Sequence, residues 1–426
     1  MSDDRMTPSG NGFRGDGNDR AAIQAARATV GESRQRPHRQ QPRVLISGAG
    51  IAGLTLASLL HRAGWAVTLI EIAPEPRGPG YMIDFFGPGY DAAEEMDLLL
   101  LLEAIHHPIA RLTFRNRVGR VKASFDYATL RRSAFKGRHF NFLRGELERV
   151  LRRRAEDDGV VPCFGTSISS MHPRARSVDV ELDNGAHATF DLVVGADGIW
   201  SRVRSLAFGP TSNFTRFLGC DTAAYVIDDA GLAAIVNEEF ATLTVSGRQV
   251  GLYPLGDGRL ATFLLYRTSS TTTRLSRDRI CAELERRYGD FEWHIPAALR
   301  ACDAAEELFF DAVAQIDMPR WVTQRVTLVG DACGAVSLIA GQGASLAMAG
   351  ALRLARSLGT GDDVDAALAT YEGTLRPIVA QRQRAGRRLA RWFLPDTRWR
   401  LAVRDGILRA AALPGIARIA TRSLVG

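Results

Sequence analysis

The sequence predicts an α/β fold. A nucleotide-binding type of domain is interrupted by a mainly antiparallel β segment, resumes with a last strand and helix, and is followed by a helical tail. Three observations predict it. Short apolar runs at 44–47, 66–71 and 191–195 end in acidic or glycine-rich turns, the mark of buried strands feeding loops and helices. Residues 215–320 switch to alternating strands separated by Gly/Asp turns. Buried-strand character returns in "RVTLVGDA" (325–332), and the remainder of the chain is helical.

The elements are expected in this order. Residues 1–42 are Gly, Asp, Asn, Arg and Gln with few large apolar side chains, so they read as a disordered leader. A strand at 44–47 precedes a helix over 54–62 that Gly64 closes. A second strand spans 66–71, and "YMIDFF" (81–86) reads as a third. Pro88 opens a helix that runs through the leucine run at 98–102. "FNFL" ends a strand before a helix over 144–157, capped by Gly159. "DNG" at 183–185 is a turn between alternating strands, and "DLVVGADG" is another buried strand. Within 215–320, "TAAYVID", "EEFATLTVSG", "RQVGLYPLGDG" and "RLATFLLYRTSS" form a sheet, with a helix near 276–289. The division is therefore a nucleotide domain at 43–214 and 321–375, a β domain at 215–320, and C-terminal helices at 376–426.

Composition narrows the function classes. The chain of 426 residues suits two packed domains or one with a large insertion. Its net charge of +7 is local: from Thr374 onward twelve Arg face Asp396 and Asp405, so the remainder is slightly acidic. Only Lys122 and Lys136 are lysines, and no basic strand is interleaved with aromatics, which argues against nucleic acid. The longest apolar run, 98–102, is far shorter than a membrane span, and no secretion signal opens the chain. Five scattered cysteines without a CxxC argue against a disulfide scaffold or a zinc site and fit a reducing cytoplasm. No Ser/His/Asp set and no metal cluster is visible.

In the tail, Ile378, Ala385, Leu389, Trp392 and Phe393 share one helical face, opposite Arg384, Arg387, Arg388 and Arg391. That face is expected to pack across the two domains. Arg400 and Arg404 fall inside the apolar stripe after Trp399, which disfavours a membrane-surface role.

Gly48-Ala49-Gly50-Ile51-Ala52-Gly53 is GxGxxG between a strand and a helix, and Glu71 ends the next strand. The first glycine permits the tight turn, the second lets a pyrophosphate approach, and the third lets helix pack on strand. The helix N-terminus faces the phosphates, and Glu71 can accept from both ribose hydroxyls.

"GADGIWSRVR" (195–204) and "LVGDACG" with "GQGASLAMAG" (328–350) come next, in that order. The ordered trio resembles the flavin-dependent aromatic monooxygenases, the para-hydroxybenzoate-hydroxylase-like group A flavoproteins, over roughly residues 43–375. Within that family the chain looks most similar to tetracycline-inactivating and antibiotic-tailoring monooxygenases. The resemblance implies FAD as cofactor and NAD(P)H as a transient co-substrate, since no second GxGxxG is present. It implies that Asp331 accepts from the ribityl chain, with helix capping as the alternative. It also implies that Gln342 and Gly343 present backbone N–H groups to the pyrimidine edge, where the helix start aims its positive end. Small residues, Gly341, Gly343, Ala344 and Ser345, would let the ring lie on the backbone. Asp197 would sit near the FAD pyrophosphate, and Arg144 matches the arginine that reaches FAD. Arg202 and Arg204 are expected to pair with nearby carboxylates.

The chain departs from the family pattern at Gly334 (His), Ser337-Leu338 (the Pro region), Ser345 (Asn) and Ala349-Gly350 (an acidic pair). Cys333 reads as a small buried residue, with no visible His or Lys to lower its pKa.

The implied activity is an FAD-dependent NAD(P)H monooxygenase in which the flavin carries the chemistry. One oxygen atom of O2 would pass, through a flavin C4a-hydroperoxide, to a bulky, mostly apolar aromatic or polyketide-like molecule. The alternative is an FAD-binding scaffold for a non-redox cyclisation. The β domain must supply the ceiling over the flavin, with Tyr253, Pro254 and Phe263 expected to line it. A monomer or homodimer is expected.

Overall fold

The computed structural model describes residues 41–412 apart from 77, 79, 270–274, 338–340 and 360–362. The expected leader, except its last two residues, Leu338 and the tail after Ala412 lie outside the described residues.

Six strands form the nucleotide-domain sheet, in the order Val322–Thr323, Val326–Leu328, Leu192–Gly195, Arg43–Ser47, Ala66–Glu71, Cys163–Phe164. Its central neighbours are parallel, with Val44 opposite both Leu192 and Val67. Leu45, Ile46, Leu192, Val193 and Val194 are fully buried, as continuous apolar runs demand when a sheet is covered on both faces. The Ile51–Arg62 and Arg144–Asp157 helices pack against each other on it. The "DNG" turn joins Val178–Leu182 to His187–Phe190 in a separate three-stranded sheet.

Two expectations in this region need correction. The strand Met82–Phe86 exists, but it pairs antiparallel with His139–Leu143 in a two-stranded ribbon outside the main sheet. The helix expected from Pro88 through the leucines is two helices, Pro88–Glu95 and Leu99–Ala104. Asp97 lies in the left-handed region at φ 57, and Leu98 N–H returns to Ala93 O. This closes the first helix and buries Leu98, and Asp is among the few residues that tolerate that backbone.

The second sheet has seven strands, in the order Leu308–Ile316, Thr215–Asp228, Arg259–Arg267, Arg248–Pro254, Glu239–Val245, Arg111–Arg115, Val121–Asp126. The last two strands come from well before residue 215. Glu239–Val245 runs parallel to Arg111–Arg115, with Phe240 opposite Leu112. One face packs Tyr225, Leu243, Leu252 and Leu264 against helices Ala230–Val236, Arg277–Tyr288 and Ile295–Arg300. A disulfide, Cys281–Cys302, ties the last two helical segments together. This corrects the reading of the cysteines as unbridged: the partners are 21 residues apart and meet only because the chain folds back.

The chain ends, among described residues, in helices Gly343–Leu358, Val364–Phe393 and Arg398–Ala411. The boundary expected at 376 falls inside the second of these. Its buried face is also not the one expected. Val379, Gln383, Gly386 and Ala390 point inward, while Leu389 and Trp392 are 40% and 39% exposed. Gln383 sets this rotation. Its Nε2 donates to Ile316 O at 2.7 Å and Ala335 O at 3.0 Å, so a polar side chain satisfies buried carbonyls that an apolar one would orphan. Arg404, read as falling inside the apolar stripe, is buried and donates to Phe393 O and Asp405. No described helix is long and apolar enough to cross a membrane.

Candidate functional site

Two adjoining cavities lie between the sheets, one of about 670 Å³ and one of about 420 Å³. Gly50, Arg144, Ala196, Gly198, Ile199 and Asp311 line both.

The smaller cavity is built by the first glycine motif. Gly48 has φ 109, and a Cβ there would stand 2.5 Å from Ala196 O. A Cβ on Gly53 would fall 1.8 Å from Gly48 O, so the third glycine serves helix packing and does not reach the cavity. A Cβ on Gly50 would meet only side-chain ends at 3.4 Å and beyond, which leaves its backbone open toward the cavity. Ile51 and Ala52 begin the helix and line the larger cavity. That helix has no side-chain cap, so its first N–H groups are available to an anion. Glu71 lines the cavity while accepting from Ala49 N–H at 2.8 Å and Ala73 N–H at 3.0 Å. The carboxylate is thereby fixed at the end of its strand, beside the glycine loop.

Asp197 also lines the smaller cavity, but much of its hydrogen-bonding capacity is turned inward. It accepts from Ser201 Oγ, Arg202 N–H and Val203 N–H, capping the Arg202–Ala207 helix. Burial raises its carboxyl above the usual carboxylate range against those hydrogen bonds. The arginines of this motif correct the carboxylate expectation. Arg202 donates to Ile168 O and Ser169 O. Arg204, fully buried, donates to Ala332 O and Ile199 O.

Arg144 stands at the junction of the cavities, with Nη2 2.6 Å from Glu148 Oε1. Asp331 lines the larger cavity at the start of the short Asp331–Gly334 helix. Its carboxyl opens onto the cavity but is ringed by protein. Burial raises it above the carboxylate range, and the charge of Arg144 offsets part of the rise. Gly341, at φ 63, with Gly343 and Ala344, lines the same wall. A Cβ on Gly343 would meet nothing within 4 Å, and the Gly343–Leu358 helix has no side-chain cap at Gln342. Gln342 itself is not among the residues lining either cavity. Ser345 turns away: it is buried, and its Oγ accepts from Phe86 N–H at 3.3 Å.

Two departures from the family pattern, Gly334 and Gly350, have packing reasons. A Cβ on Gly334 would stand 2.7 Å from Val379 Cγ1, so the long C-terminal helix occupies the space of any larger residue. Gly350 is close to Leu375 of the same helix. Cys333 is buried, and burial pushes its thiol up, which fits the inert reading.

The free face of the seven-stranded sheet roofs the larger cavity. Tyr253 and Phe263 line it, and Pro254 does not. The register explains this: Tyr253 opposes Ala261 and Gly251 opposes Phe263, so Tyr253 and Phe263 share a face while Pro254 points the other way. Tyr253 stacks edge-on with Phe240 at 5.2 Å and accepts from Met82 N–H. Among described residues, no three His, Cys, Asp or Glu are placed to hold a metal ion.

Sequence reasoning missed several lining residues. Phe114 comes from the strands outside 215–320, and Phe393 from the end of the long helix. It also missed a polar group: Asp84, Tyr127 and Asn141 line the larger cavity, beside buried His139. Asp84 and Asn141 each stand alone in an aromatic run, "YMIDFF" and "FNFL". A single polar residue in a buried strand needs a partner, and that signal was available.

Comparison with known proteins agrees with this geometry. Residues 101–385 match a family model described as FAD binding domain, and residues 46–94 match an NAD(P)-binding Rossmann-like domain. The uncharacterized protein Rv1260 of Mycobacterium tuberculosis is 32% identical over 80% of this chain and 91% of its own length. A flavin-dependent monooxygenase from an unknown prokaryotic organism is 29% identical over 84% and 92%. The crystal structure of tetracycline destructase Tet(55) superposes with a TM-score of 0.75 at 26% identity, covering 89% of this chain and 98% of that one.

Proposed function

From the premise that this chain belongs to the FAD-binding-domain family of flavin-dependent monooxygenases, we propose that it inserts one oxygen atom of O2 into a bulky, mostly apolar aromatic or polyketide-like molecule, with NAD(P)H as reductant. The observation that carries this reading is the larger cavity itself. One wall is the glycine-rich loop of the third motif, and the roof is the aromatic face of the β sheet.

The residues present fit a flavin dinucleotide. Backbone at Gly50 and Gly343 is open to the cavities, and two helices start uncapped beside them. In this reading Glu71 receives the ribose hydroxyls, the N-terminus of the Ile51–Arg62 helix receives the pyrophosphate, and Arg144 neutralises charge between the cavities. Asp331 receives the ribityl chain, and the amides at 342–343 receive the pyrimidine edge. Asp197 acts from behind, by holding the second motif in shape.

Bound FAD supplies the redox chemistry between NAD(P)H, O2 and substrate. The chain's own task is to orient the substrate and keep water out. Tyr253, Phe263, Phe240 and Phe114 offer an apolar roof for that purpose. The identity of Tet(55) as a tetracycline destructase supports a fused-ring polyketide as the substrate type.

The test is to reconstitute the protein with FAD, supply NADPH or NADH under 18O2, and screen polycyclic phenols and polyketides by mass spectrometry. One labelled oxygen atom per product, matched to NAD(P)H consumed, is expected. Conversion of substrate without O2 uptake would overturn it in favour of the non-redox cyclisation.

A further inference from the structure

The larger cavity is apolar except at a few points, and one of them is held by an unusually dense set of donors. Asp84 sits mid-strand, opposite Asn141. Its Oδ1 accepts from Asn141 Nδ2 at 2.6 Å, Tyr127 Oη at 3.0 Å and His139 Nε2 at 3.2 Å. All three donors are largely buried: His139 lies behind the carboxylate, and Tyr127 and Asn141 hold it from the cavity wall beside it. The other oxygen, Oδ2, has no hydrogen-bond partner among the described residues. It lies 3.8 Å from the position a Cβ would take on Gly341, at the edge of the third motif. The side chain is 47% exposed, and the surface it exposes is cavity wall. Ile83, Ile109, Leu112 and Tyr253 line the same cavity.

A carboxylate oxygen held this way, in apolar surroundings, has to be satisfied by what enters. Burial works to raise the Asp84 carboxyl, but the hydrogen bonds from His139, Tyr127 and Asn141 outweigh it and hold it below the usual carboxylate range. It therefore enters the encounter as an anion, which only accepts hydrogen bonds. Among the described residues, the one guanidinium lining the cavity, Arg144, is already paired with Glu148. An incoming carboxylate thus meets like charge at Asp84 and finds its counter-charge engaged.

We propose that Asp84 Oδ2 is the polar anchor for the substrate: it accepts from an O–H or N–H⁺ donor on an aromatic or fused-ring molecule and selects phenols and protonated amines over carboxylates. Asp84 is then a specificity-determining residue that touches substrate. Tyr127, Asn141 and His139 are positioning residues acting through it. The proposal rests on the monooxygenase reading for the place of the substrate beside the third motif, but not for the selectivity itself.

The experiment uses three probes of one ring system: 1-naphthylmethylamine, 1-naphthol and 1-naphthoate. Binding to the FAD-loaded protein is followed by naphthalene fluorescence and by perturbation of the flavin spectrum. The amine and the naphthol should bind at least tenfold more tightly than naphthoate. In Asp84→Asn, which keeps an acceptor for the three donors, the amine should lose tenfold or more while naphthoate gains, with FAD content unchanged. Naphthoate binding the wild-type protein as tightly as the amine would overturn the proposal, even if the variant failed to fold. So would an unchanged order in a folded Asp84→Asn. If the protein holds no FAD, the oxygenase reading fails, yet the fluorescence order still decides the role of Asp84.

Discussion

Arg204 Nη1 donates a 2.8 Å hydrogen bond to the carbonyl of Ala332, joining the second glycine motif to the third through a side chain with no solvent exposure. A second donor, Nη2, reaches Ile199 O at 2.6 Å. Replacing the side chain by one without donors orphans both carbonyls. Arg204→Met should therefore cost about 3 kcal/mol or more of stability. The check is urea unfolding of the FAD-free protein, and a midpoint equal to wild type would show that water replaces the guanidinium.

Glu71 is expected to act on cofactor affinity. Glu71→Ala should weaken FAD by about 1.5–3 kcal/mol, the scale of a hydrogen bond to a charged acceptor. Because the same carboxylate holds Ala49 and Ala73 N–H, Glu71→Gln should lose less than Glu71→Ala. Titrating apo-protein with FAD measures both. Equal affinity in all three proteins would remove Glu71 from the ribose site.

Phe263 faces the larger cavity, so Phe263→Ala enlarges it without touching the glycine loops. NAD(P)H oxidation should become uncoupled, with more H2O2 per product formed and FAD retained, because a wetter cavity lets oxidising equivalents escape. The peroxide yield per NAD(P)H is the measurement. A wild-type yield together with wild-type substrate affinity would show that Phe263 does not line the substrate.

Asp221 offers a pH test in the β sheet. It is buried, its Oδ1 has no hydrogen-bond partner among the described residues, and burial raises its carboxyl to about 6. A carboxyl whose folded pKa is raised binds more protons when folded. Its contribution to stability is therefore lost as pH rises from about 4 through about 6. Asp221→Asn should gain on wild type over that window, and the gain should level off above it. Unfolding free energies at pH 4, 5, 6 and 7 decide it, and a gap that narrows as pH rises would reverse the sign assigned here.

Much of the nucleotide half was legible because its signals are local. The glycine motif, the 66–71 strand and the "DNG" turn need only a few neighbouring residues to specify them. What was missed depends on partners distant in sequence. Strands Arg111–Arg115 and Val121–Asp126 carry no mark that they join a sheet built mostly after residue 215. Helical periodicity misplaced the long helix because it weighs apolar residues, whereas Gln383 sets the rotation by hydrogen bonding. The roof was half right: alternation put Tyr253 and Pro254 on opposite faces, so only one of them could share a face with Phe263.

The Cys281–Cys302 bridge closes a loop across 21 residues of sequence, which in the chain-entropy model is worth about 3 kcal/mol. Reduction, or Cys302→Ser, should lower the thermal midpoint while leaving FAD bound, because the bridge lies on the helical side of the sheet away from the cavities. Calorimetry with and without reductant tests it, and identical midpoints would show that the bridge adds no stability.

The Val364–Phe393 helix has a consequence for how the molecule admits its substrate. Tyr371 Oη is fastened to Leu328 O of the six-stranded sheet, Arg387 Nη1 to Gln315 of the seven-stranded sheet, and Phe393 ends in the cavity wall. One helix is thus hydrogen-bonded to both lobes, and a clam-shell opening would have to break those bonds or bend the helix at Pro377 between them. With those bonds intact, traffic into the cavity passes through its rim, as through a doorway in a fixed frame. Entry rates should then track the size of the groups at that rim, with little sensitivity to solvent viscosity acting on a lobe motion.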